Sequence, residues 1–153
     1  KCILSKGATS GSVSIDNKNC NPSVWLLEKV NTLRVVVGLD TNYKTPTCPS
    51  GSSNGAMDCT NTPTELDYCE IKDFPLQRWV NVNITLHDNV IDVFFDGKLK
   101  KSKILKGFPT TTTNGMIICP DGGFNGYISN FKYANSAVNL DTIGKMYKSG
   151  PTL

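Results

Sequence analysis

Arg78-Trp79-Val80-Asn81-Val82-Asn83-Ile84-Thr85-Leu86, followed by Val90-Ile91-Asp92-Val93-Phe94-Phe95-Asp96-Gly97-Lys98, carries more structural information than any other part of the chain. Val80, Val82, Ile84 and Leu86 alternate with Asn81, Asn83 and Thr85, so one side of the segment is dry and the other wet. Ile91, Val93 and Phe95 repeat the pattern after the His87-Asp88-Asn89 turn. Asp96-Gly97 then reads as a two-residue hairpin turn, because glycine accepts the positive φ that a twisted hairpin demands. Lys98 to Ile104 returns as an amphipathic strand.

Working outward, the same period of two continues. Cys2 to Leu4, Val24 to Leu27, Thr32 to Leu39, Leu66 to Ile71 and Met116 to Cys119 all read as short strands or apolar runs. Gly126 to Tyr133 alternates Tyr127, Ser129, Phe131 and Tyr133 against Ile128, Asn130 and Lys132, and is expected to be a strand as well. Leu140, Ile143, Met146 and Tyr147 fall at helical spacing, with Asn139 as cap and Gly150-Pro151 as stop. Strand after strand with one terminal helical turn predicts an all-β antiparallel sandwich rather than alternating α/β. Residues 40–64 have no periodicity and are rich in Pro and Gly, as in a long functional or crosslinked loop.

The bulk numbers narrow the classes. At 153 residues the chain is expected to be one domain, 1–153, with a genuine core. It starts directly in an apolar strand with no polar lead-in, so further residues are expected upstream of Lys1. A net charge of +3 gives no sign of nucleic-acid binding. The lysine run Lys98, Lys100, Lys101, Lys103 and Lys106 reads first as a solvated edge strand protected from aggregation. No stretch nears the ~18 apolar residues of a membrane span. Six cysteines with no C-x-x-C pair and a single histidine argue against zinc. Cys48 and Cys59 share one loop that a disulfide between them could close, which suits an extracellular or virion setting; the alternative is reduced, buried cysteines acting as small hydrophobes.

Arg78-Trp79-Val80-Asn81-Val82, Phe95-Asp96-Gly97-Lys98-Leu99, Gly123-Phe124-Asn125-Gly126-Tyr127-Ile128-Ser129-Asn130-Phe131-Lys132-Tyr133 and Ile143-Gly144-Lys145-Met146-Tyr147-Lys148-Ser149-Gly150-Pro151 together resemble the laminin-G-like branch of the concanavalin A-like lectin/glucanase superfamily. The resemblance implies a jelly-roll topology, with Trp79 anchoring the core, Asp96-Gly97 as hairpin turn and Gly126 as a structural glycine. The flavour is similar to versions encoded by large DNA viruses of algae and protists. It implies a non-catalytic structural or adhesive role, as a minor capsid or surface component of the virus particle, with other virion or capsid proteins as partners.

Two other functions are weighed. Glu65-Leu66-Asp67-Tyr68-Cys69-Glu70 has the E-x-D-x-x-E form of laminarinase-type glucanases, in which Glu65 would be nucleophile, Glu70 acid/base and Asp67 their companion. Strict alternation sends Glu65 and Glu70 to opposite faces, so this chemistry requires a bulge in the strand. A lectin-like module is the other alternative, with Phe124 stacking on a sugar and Asn125 bonding its hydroxyls. Asp40, Asp58, Asp67, Asp92, Asp96 and Asp121 are candidates for a calcium site, although no EF-hand spacing exists and turn-forming aspartates explain them.

Overall fold

The computed structural model describes residues 1–7, 13–41 and 65–152. Within them run the strands β1 (Cys2–Lys6), β2 (Ser23–Leu26), β3 (Leu33–Gly38), β4 (Leu66–Ile71), β5 (Val82–His87), β6 (Val90–Phe95), β7 (Lys98–Ile104) and β8 (Met116–Ile118), then the helix α1 (Leu140–Lys148). One sheet has the order β4-β3-β2-β1-β8 and the other β5-β6-β7. Every pairing in both sheets is antiparallel.

The core follows from the alternation. Leu33, Val35 and Val37 of β3 sit opposite Ile71, Cys69 and Asp67 of β4. Their apolar members meet Ile91, Val93 and Phe95 of β6, and Val24, Leu39 and Leu105 complete the buried cluster. Each fully buried Val, Leu or Ile contributes about 1.5–3 kcal/mol of transfer free energy. Phe74 closes one end of the core by meeting Phe95 edge to face, with ring centroids 5.3 Å apart. It lies in a stretch that reads in sequence as a mere connector.

A register shift in β1 between Cys2 and Leu4 turns Cys2 to the opposite side of the large sheet. Cys2 packs there with Val13, Trp25 and Ile117 in a second, smaller cluster. Residues 13–22 cross the same sheet so closely that Gly38 has no room for a side chain. A Cβ built on Gly38 would lie 1.9 Å from the Lys18 carbonyl oxygen.

The turn at Asp96 (φ 52°) and Gly97 (φ 75°) has two successive positive φ angles, as expected for its hairpin. In α1, Asn139 accepts a hydrogen bond from the Thr142 amide at 2.8 Å, and Ile143 is the buried residue. No helix among the described residues is long and apolar enough to cross a membrane.

Two expectations fail. Gly126 to Tyr133 belongs to no strand. Asn130 has φ 53°, which breaks the extended run. The Ser129 hydroxyl and Asn130 amide bond to Thr152 and Gly150 instead of to a neighbouring strand. Alternation alone makes no strand without a ladder partner. Trp79 is not a core anchor either, because it is 44% exposed and precedes β5. It has the opposite parity to Val80, Val82, Ile84 and Leu86, which pack against the core.

Candidate functional site

The three acids of the glucanase-like pattern lie in or beside β4, whose ladder with β3 runs unbroken from Gly38↔Leu66 to Leu33↔Ile71. The bulge that retaining chemistry requires is therefore missing from β4. Five residues of extended chain separate Glu65 from Glu70 by about 16 Å at the α-carbons. Glycosidase carboxyls sit ~5 to ~9.5 Å apart.

Each acid also has its own basic partner. Glu65 precedes the strand, and its Oε1 lies 3.1 Å from Lys18 Nζ. Glu70 meets its cross-strand neighbour Arg34, whose Nε donates to Oε1 at 2.7 Å. Tyr68 lies on the same face, with the Arg34 guanidinium 4.6 Å from its ring centroid. Asp67 points the other way, into the edge of the core, where only 3% of it is exposed.

Burial raises the pKa of Asp67. The hydrogen bond from Lys103 and the amides of Lys106 and Tyr68 outweigh that effect, and its carboxyl is held below the ordinary value. Asp96 behaves in the same way. Desolvation pushes its carboxyl up, but the Asn81 amide at 3.0 Å and Arg78 Nη1 at 2.9 Å bring it below the usual range. Neither group is a raised, proton-donating acid of the kind glycoside hydrolysis uses.

Phe124 does not stand free as a sugar platform. Its ring folds back over Gly126 so closely that a Cβ there would lie 2.4 Å from Cε2. This close approach is the structural reason for glycine at 126. Asn125 beside it is exposed. Two exposed rings, Trp79 and Tyr127, the latter 86% exposed, border an open groove of about 440 Å³ with Ile128, Ser129 and Thr152. The resemblance implied a core role for Trp79, and Tyr127 was expected on one face of a strand. The odd parity of Trp79 against the alternating valines was the available signal for its exposure.

Among the described residues no three or more His, Cys, Asp or Glu side chains gather in a metal-holding group. Of the aspartates considered for calcium, Asp67 and Asp96 are held by Lys103 and Arg78, and Asp121 accepts the Val13 amide at 3.2 Å. Asp58 lies outside the described residues, as do Cys48 and Cys59. Cys2, Cys20, Cys69 and Cys119 are free thiols, the first three buried. Burial pushes the Cys2 thiol up to about 12.

No family model matches the chain, and no curated protein matches it. Among solved structures, an S-layer domain-containing protein (residues 221–444) from Clostridium thermocellum ATCC 27405 aligns at 14% identity with a TM-score of 0.40, over 92% of this chain and 68% of that one. A likeness of that size carries no argument about family or function.

Proposed function

We propose that the chain is a non-catalytic structural or adhesive module with the jelly-roll topology of the concanavalin A-like class, serving as a minor capsid or surface component of a large DNA virus particle. The carrying observation is the dispersal of the glucanase-like acids. Glu65, Asp67 and Glu70 are bound by Lys18, Lys103 and Arg34 in three separate ion pairs, Asp67 and Glu70 on opposite faces of β4 and Glu65 just before it. Two antiparallel sheets with a shared core suit a protein that works by shape. The virus-particle setting rests on the sequence resemblance at 78–82, 95–99, 123–133 and 143–151.

Two measurements test this. The full chain incubated with laminarin and mixed-linkage β-glucan releases no reducing ends, and E65Q and E70Q behave like the parent. Turnover that either substitution abolishes would overturn the non-catalytic reading. Mass spectrometry of purified particles from a virus encoding the chain finds it at stoichiometric abundance. Its absence from particles, with the protein present in infected cells, removes the capsid assignment.

A lectin-like function is the second reading, favoured by the neighbouring exposed rings of Trp79 and Tyr127. Aromatic faces stack on the C–H faces of sugars. Against it, the hydroxyls in the groove are already engaged, that of Ser129 with Thr152 in both directions and that of Thr152 with Asn130 Oδ1. Binding on a glycan array that disappears in W79A and Y127A would replace the structural reading with this one.

A further inference from the structure

The edge strand β7 carries a row of lysines toward the other sheet. Lys98, Lys101 and Lys103 pair with the buried core residues Phe95, Val93 and Ile91 of β6. From these positions the ammonium groups of Lys101 and Lys103 reach sideways to β4. Lys103 meets Asp67 and the Tyr68 carbonyl, and Lys101 donates to the Glu70 carbonyl at 2.8 Å. β4 ends at Ile71, and the next residue is another cation, Lys72. Among the described residues, Lys98 and Lys100, the latter at the register shift of β7, have no such acceptor on β4.

The result is a cleft of about 510 Å³ where the end of β4, the β6–β7 turn and α1 come together. Four cations (Lys72, Arg78, Lys98 and Lys100) line it against two carboxylates, Asp73 and Asp96. Asp96 is already occupied by Arg78 and the Asn81 amide. Among the described residues no carboxylate forms an ion pair with Lys72, Lys98 or Lys100. Tyr147 forms one wall, packed against Gly97, where a Cβ would lie 3.4 Å from its ring.

We propose that this cleft binds a small oxyanion-bearing ligand, a phosphate or sulfate ester, on Lys72, Lys98 and Lys100. Ammonium groups are strong point-charge partners for such oxyanions. The volume falls within the range of small-ligand sites. Tyr147 and Pro75 supply apolar contact for the organic part of the ester. A long polyanion fits less well. The lysine row does not continue as a free track, because Lys101 and Lys103 are already held by β4. This site is independent of the particle-module reading, since neither requires the other.

The test is a titration of the full chain, followed by amide and side-chain NMR shifts, with inorganic phosphate, inorganic sulfate, a hexose monophosphate, a hexose sulfate and a long heparin. It is run at about 50 mM and about 300 mM salt to separate site binding from a diffuse field. The expected result is saturable binding of small oxyanions, tighter for an ester than for the inorganic ion, with the largest shifts at Lys72, Lys98, Lys100 and Tyr147. K98Q/K100Q weakens it about tenfold or more, and K101Q on the same strand changes it less than about twofold. Absence of a saturable shift with every small oxyanion overturns the proposal. So does an equal loss in K101Q, or binding of heparin alone. Preference between the phosphate and sulfate probes names the ester.

Discussion

Lys103 on β7 and Asp67 on β4 join the edges of two different sheets, with Nζ and Oδ1 2.5 Å apart. The second carboxylate oxygen, Oδ2, accepts the Lys106 amide at 3.0 Å. Among the described residues, Asp67 is thus the one charged group buried at the rim of the apolar core, and it is held there by three donors. A charge removed from water at such a position is stable only while its partners remain.

Removing one partner is therefore expected to be costly. D67A loses about 2–4 kcal/mol and K103M about 2–3 kcal/mol in urea denaturation, while D67L/K103M loses clearly less than the two added together. Simple additivity would show that the pair is not coupled and that its members act through packing alone.

Acid sensitivity follows from the same group. The folded carboxyls of Asp67 and Asp96 lie below their ordinary value of 3.8. A depressed folded pKa gives stability that is fully present above the unfolded value and is lost as pH falls through the folded one. The protein is expected to hold a level melting temperature down to about pH 5 and to lose it below about pH 4. D67N flattens that acid limb, as thermal melts across pH 2–6 would reveal, at about one-unit steps. An acid limb unchanged in D67N assigns the effect elsewhere.

Gly38 and Gly144 make opposite predictions. A Cβ on Gly38 would lie 1.9 Å from the Lys18 carbonyl oxygen, whereas one on Gly144 in α1 meets nothing within 4 Å. G38A is expected to lose more than about 3 kcal/mol, through displacement of residues 13–22 or the sheet beneath. G144A gains about 0.5–1 kcal/mol from helix propensity. Differential scanning calorimetry on the two variants decides both signs.

Two aromatic residues separate burial from appearance. Phe95 is 3% exposed, and F95A is expected to lose about 3–5 kcal/mol. Trp79, half in solvent, is expected to lose under about 1.5 kcal/mol on the same substitution. Trp79 fluorescence, isolated in a W25F background, should already be red-shifted in the native protein and quenched by acrylamide. A blue, unquenchable signal would put the ring back inside.

Much of the fold was legible because its signal is local. The alternation in Leu33 to Gly38 and Val90 to Phe95, the Asp96-Gly97 turn and the Asn139 cap each depend on a few consecutive residues, and each appears where the spacing places it. The candidate site was less legible. An E-x-D-x-x-E string says which acids are near in sequence, but not that Lys18, 47 residues from Glu65, and Arg34, 36 residues from Glu70, take them up.

The amino-acid order by itself determined the eight strands that form, the hairpin turns and which side of the core strands is oily, because side-chain period and turn chemistry are written in neighbouring residues. Only the tertiary structure decided that residues 126–133 pair with no strand, that Trp79 faces water, and that the β7 lysines divide between those bonded to β4 and those left lining a cleft. Those outcomes depend on which distant segments arrive beside a residue. A chain's local pattern fixes what each segment can bury or bond, while its neighbours in space fix which of those possibilities is used.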